Sequence, residues 1–192
     1  MSRHKIFEAI AKEQNWHKMF GGDTHRALGI GPFQLLYKNR SSKVEGLSMT
    51  TLQSREMIFD LISWRNHTFP GTTAYYYLNT RIQWPIFILE PMSHPDYLLY
   101  TFFNRFKKTG NSQYEDFQLR YRLVSPLNKM RPQYLSHEIK LFFNYEHNWT
   151  IEGNGQQLLL YKENNLIASD QLRSFIQVCQ TIVKMFSGEQ VL

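Results

Sequence analysis

The sequence predicts an α+β fold: a mainly antiparallel sheet of about seven to eight strands, packed by roughly three to four amphipathic helices. Three observations predict it. Segments with a two-residue apolar period are grouped between residues 33 and 90. Segments with a helical period open the chain and are then interspersed from residue 93 onward. Two hairpin signals, a polar turn at 39–42 and the Asn154-Gly155 pair, join strands directly.

Residues 3–14 read as a helix, with Phe7, Ile10 and Ala11 on one side and Lys5, Glu8, Lys12 and Glu13 elsewhere. "MFGGDTHRALGIGP" (19–32) breaks regularity with four glycines and a proline. Gly29 and Gly31 form a GxG, but Pro32 follows where a phosphate cradle needs backbone N–H groups and an opening helix. "PFQLLYKN" and "SKVEGLSMTTL" then flank the polar turn as the arms of a hairpin. "REMIFDLISW" (55–64) is a third strand, with Met57, Phe59 and Leu61 facing opposite to Ile58 and Ile62. "TTAYYYLNTRIQW" (72–84) is a fourth, rich in Thr and Tyr. "PIFILEP" is a fifth, and its bounding Pro85 and Pro91 favour a sheet edge.

Ser93 and Asp96 match a capping box. The helix it opens carries Leu98, Leu99, Phe102, Phe103 and Phe106 on one face and closes on Lys107, Lys108 and Gly110. In "DFQLRYRLV" (116–124), Phe117, Leu119, Tyr121 and Leu123 alternate with Gln118, Arg120 and Arg122, so a strand hides the first set and presents both arginines. After "SPLNKMRPQ" a helix carries Leu135, Ile139, Phe142 and Phe143. "NWTI" and "QQLLLY" surround "EGNG" as a hairpin. The last helix begins near Ser169 or Asp170. Leu172, Phe175, Ile176, Cys179, Ile182, Val183 and Phe186 form its stripe, and Gly188 ends it.

The layout resembles a broad bacterial family of uncharacterised proteins. The matching segments are "FEAIAKEQNW", "PFQLLYKNRSSKVEGL", "MIFDL", "WPIFILEP", "YEDFQLRYRLVSP", "TIEGNGQQLLLYKENN" and the closing helix. In that family a soluble α+β domain commonly follows two transmembrane helices, which are absent from this sequence. The resemblance implies the fold and carries no catalytic residues. No stretch approaches the ~18 consecutive apolar residues of a membrane span, and the charged start lacks the apolar core of a signal peptide. A single domain covering 1–192 is expected, cytoplasmic, with any membrane association peripheral.

Composition, 42% apolar and 20% charged, is that of a globular protein. The lone cysteine, Cys179, excludes an internal disulfide, and its place on a helical stripe suits a small buried hydrophobe. Seven histidines show no helical metal pair: His17 and His25 are eight apart, and His137 and His147 are ten apart. No metal or other cofactor is therefore expected. No Gly-x-Ser-x-Gly elbow occurs, and neighbouring Ser136, His137 and Glu138 diverge around a helix, so no catalytic group is assigned.

Charge is the informative feature. Residues 101–140 carry eight Lys/Arg against three Asp/Glu, within a chain of net +6. Arg120 and Arg122 on the strand face, with Lys129 and Arg131 on the following loop, form a candidate surface for an acidic protein partner or an anionic membrane. An accessory or interaction protein without enzymatic activity is the expectation. Nucleic-acid binding is the alternative, although Phe117 and Tyr121 alternate away from the basic face and supply no stacking there. A further alternative lies in "SWRNHTFPG" (63–71). Arg65 and His67 share a strand face before the Pro70-Gly71 turn and could hold an anion or ligand, or anchor a dispersed enzymatic site.

Overall fold

A pleated strand sends alternate side chains to opposite faces, so antiparallel pairing builds continuous rows across a sheet. One such row here runs Leu47, Ile58, Tyr75, Leu160, Ile151, Leu89 and Leu123, each residue opposite the next. The computed structural model describes residues 2–19, 33–38, 42–63, 71–92, 117, 119–126 and 135–188. Among them lie α1 (Arg3–Gln14), β1 (His17–Met19), α2 (Gln34–Lys38), β2 (Ser42–Thr50), β3 (Ser54–Ser63), β4 (Thr72–Asn79), β5 (Trp84–Pro91), β6 (Tyr121–Val124), α3 (His137–Tyr145), β7 (Thr150–Gly155), β8 (Gln157–Tyr161) and α4 (Leu172–Ser187). The eight described strands form one antiparallel sheet in the order β1-β2-β3-β4-β8-β7-β5-β6. The fold is α+β, as the sequence predicts.

The inner face of the sheet packs against α1, α3 and α4 through Ile6, Phe7 and Ile10, Ile139 and Phe143, and the stripe from Leu172 to Val183. Cys179 is fully buried on that stripe. Gly188 ends α4 in the left-handed region, φ 72°, with its N–H on the Lys184 and Met185 carbonyls. The outer face carries a second core, in which Phe33, Leu35 and Leu36 cover Val44, Phe59, Tyr76 and Leu159.

Three expectations need correction. "PFQLLYKN" is no hairpin arm: Gln34–Lys38 is a short helix, and β2 pairs with β1 and β3. Its cause is remote in sequence. Glu152, 3% exposed on β7, accepts hydrogen bonds from Gln34 N at 2.6 Å and Leu35 N at 3.0 Å, which caps the helix start. Tyr161 donates its hydroxyl proton to the same carboxylate at 2.8 Å. Second, β5 is no edge strand, since it lies between β7 and β6. The pairing with β7 shifts register between Trp84 and Phe87, a bulge that absorbs Pro85 and turns Trp84 inward with Phe87 and Leu89. Third, the strand predicted over 116–124 is confined to Tyr121–Val124, with residues 117, 119 and 120 helical. The predicted helix following Ser93 and most of the glycine-rich loop lie outside the described residues.

The β7–β8 hairpin turns on Gly155 and Gln156, between the paired Asn154 and Gln157, with φ 64° at Gly155. Gly153 answers a different need. Phe87 lies directly across from it, and a Cβ at residue 153 would stand 2.1 Å from Phe87 Cε1. Gly153→Ala should therefore cost ~1–3 kcal/mol through overpacking, read as a lower urea midpoint with unchanged m.

One ion pair links the layers. Arg3 on α1 donates from Nε and Nη2 to the two carboxylate oxygens of Asp60 on β3, both at 2.7 Å. Asp60 is 1% exposed. Arg3→Ala should cost ~3–5 kcal/mol, because it strands a buried charge. Replacing Asp60 by asparagine in the same chain should return part of that loss in chemical denaturation.

Candidate functional site

At the β6 end of the sheet, three chain segments meet around one tyrosine. The Tyr121 ring stacks on Phe117 at 5.7 Å between centroids and tilts against Phe143 of α3 at 5.2 Å. Its hydroxyl donates to the Glu146 carbonyl at 3.0 Å and accepts from Trp149 N at 3.3 Å. That clamp fixes the connection between α3 and β7, where Asn148 is held in the left-handed region at φ 64°. Burial pushes the Tyr121 phenol up to about 12, with the Glu146 charge adding and the Trp149 N–H and Arg120 opposing.

Beside the clamp opens a cleft of about 400 Å³. Pro91, Met92 and Leu119 supply its apolar walls, and Arg120, His147 and Asn148 its polar ones. Met92 N donates to the Arg120 carbonyl at 2.7 Å, which continues the β5–β6 pairing one step past the strand. The Arg120 side chain is exposed but positioned: Nη1 donates to the Asn144 carbonyl at 3.2 Å and lies 3.3 Å from both ring nitrogens of His147. Among the described residues no carboxylate pairs with it.

Arg122, two residues on, is engaged differently. Its Nε and Nη2 donate to Glu90 Oε1 at 3.0 and 2.5 Å. Both arginines are exposed, but they do not project from one strand face: Arg120 lies in the helical turn before β6, and only Arg120 lines the cleft. Lys129, Arg131, Arg65 and His67 lie outside the described residues. His147 is the residue that the sequence did not single out. It stands ten positions after His137 with no motif around it, and only the end of α3 and the Asn148 conformation bring it to Arg120.

Other polar groups are committed to structure. Burial pushes the Cys179 thiol well above its ordinary value. The Tyr75 hydroxyl donates to Glu56, which also accepts from Gln180 Nε2 at 3.2 Å. Among the described residues no three His, Cys, Asp or Glu side chains are arranged to hold a metal, and no helix is long and apolar enough to cross a membrane. No protein-family model matches the chain, and searches of curated proteins and of solved structures find no match to it.

The buried phenols give a pH prediction. A tyrosine whose pKa is raised by folding lends stability that is complete below the unfolded value and lost as pH climbs through the folded one. Tyr121 and Tyr76 are both raised from 10.0 to about 12, chiefly by burial, and Tyr75 and Tyr161 are raised as well. Stability should hold up to about pH 10 and fall toward about pH 12. Tyrosinate absorbance should show the same delay, and it should vanish in denaturant.

Proposed function

We propose that the protein is a non-enzymatic interaction protein that receives an acidic segment of a partner protein at the Arg120 cleft. One observation carries this: Arg120 is pinned through the Asn144 carbonyl while its charge is unanswered by any described carboxylate. A guanidinium fork held in one orientation loses little entropy when it grips a planar carboxylate. The cleft has room for an acidic side chain, and Pro91, Met92 and Leu119 can cover the methylene stem of a glutamate.

Nucleic acid fits this surface less well. Sequence-tolerant binding of single strands relies on exposed aromatics between the basic groups. The aromatics of this segment, Phe117 and Tyr121, are 1% and 4% exposed and serve the core. The acidic-partner reading also accounts for the excess of positive charge in residues 101–140, which would steer a negative surface toward the site.

The test uses a short polyglutamate peptide, capped at both ends, beside mixed-sequence RNA of matched charge. Arg120→Glu should weaken peptide binding roughly tenfold or more, given ~1.5–3 kcal/mol for a charge-assisted hydrogen bond, with an unchanged circular dichroism spectrum. RNA retention that exceeds peptide retention and survives Arg120→Glu would overturn the proposal.

A further inference from the structure

The contact between Arg120 and His147 has a geometry that decides its chemistry. Nη1 is 3.3 Å from Nδ1 and also 3.3 Å from Nε2. The two nitrogens flank Cε1, so a donor in the ring plane at equal distance from both would collide with that carbon. Nη1 therefore lies over the face of the imidazole rather than at its edge. Neither ring nitrogen spends its in-plane direction on Arg120. His147 is exposed, and among the described residues no other group bonds its ring.

On that face the ring meets a fixed cation, Arg120, and among the described residues no anion. The surrounding charges do not relieve this. The Glu146 carboxylate is turned toward Trp149 Nε1 at 3.3 Å and Lys162 Nζ at 3.8 Å. Lys162 itself sits over the Trp149 ring at 4.8 Å. Glu90 is taken by Arg122, and the Tyr121 hydroxyl by backbone groups. With the cleft empty, a proton on His147 adds a second positive charge beside Arg120 and gains no anion among the described residues. A carboxylate entering the cleft reverses that balance, since imidazolium and guanidinium can then both donate to it.

We infer that capture of an acidic side chain at this cleft takes up a proton at His147, so that binding tightens as pH falls. The inference rests on the acidic-partner reading and adds its regulation. Histidine is the side chain whose charge changes across the physiological range, and linkage is reciprocal: the anion favours the proton as much as the proton favours the anion. Proton and ligand arrive together. No covalent bond changes.

Titration calorimetry of the same capped polyglutamate peptide, in two buffers of different ionisation heat, measures the protons taken up. It is run above about pH 5.5 so that the peptide carboxylates stay ionised. Wild-type protein should take up a fraction of a proton per site at neutral pH, and its affinity should rise on acidification by at most about tenfold per pH unit. His147→Gln should bind with no proton uptake and a flat pH profile. The imidazole C–H resonance of His147 in the wild-type protein should also titrate at higher pH when peptide is present. Arg120-dependent binding without proton uptake, or an unmoved His147 resonance, overturns this inference and leaves the acidic-partner reading standing. Absence of Arg120-dependent binding at every pH overturns both.

Discussion

Asp60 points from β3 into the apolar layer between sheet and helices, where an ionised carboxylate survives only with its charge and its lone pairs met. Arg3 meets both, and the same guanidinium donates to the Ile167 carbonyl at 2.6 Å and to Thr73 Oγ1 at 3.1 Å. Thr73 in turn donates to Asp60 at 2.8 Å and accepts from Ile167 N at 3.0 Å. Four parts of the chain are thereby set against one another: α1, β3, β4 and the approach to α4. Hydrophobic burial would hold these layers together in many offsets, because it has no direction. A bidentate pair has one geometry, so its role here is to select the offset rather than to add much net stability.

That offset reaches the cleft. With Ile167 fixed, α4 lays its stripe on the sheet and stacks Phe175 on Trp149 at 5.3 Å. Trp149 follows His147 and Asn148, and its backbone N–H donates to Tyr121. The cleft is accordingly built on a wall that is rigid from behind. On the outer face the cover is uneven. Phe33, Leu35 and Leu36 protect the β2, β3, β4 and β8 positions, whereas Ile86 and Val124 at the β5–β6 end are 55% and 43% exposed. The cleft lies at this same end of the sheet, where the outer face is least covered among the described residues.

Periodicity made the helices α1, α3 and α4 and the strands β3, β7 and β8 legible, because each buries one face in its own register. It failed where the deciding partner lies elsewhere. The helicity of Gln34–Lys38 rests on a carboxylate 118 residues away. The inner position of β5 rests on a register shift that accommodates Pro85. Around residue 120 the ambiguity is geometric. Residues 117 and 121 fall on one side both in a strand, four steps at period two, and in a helical turn, where i and i+4 coincide. Burial of Phe117 and Tyr121 is therefore compatible with either conformation. Arg120 could be found from its pattern. His147 could not, since it reaches the cleft through a turn that no periodicity encodes.

The two arginines show how cross-strand register, more than composition, sets a surface field. Arg122 stands opposite Glu90, and Arg120 opposite Met92 through the backbone bond that extends the ladder. Identical side chains two residues apart thus meet a carboxylate in one case and a backbone carbonyl with an imidazole in the other. The Glu90 pair is half-exposed, so it contributes ~0–1 kcal/mol at most to stability. Its larger effect is local neutralisation, which leaves the attraction for a negative group centred on Arg120. A count of basic residues along the chain weighs both arginines equally, while the sheet ranks them. In the proposed interaction, recognition at this end depends on one oriented guanidinium and on the His147 ring beside it, and the remaining positive charge acts at a distance, where salt screens it.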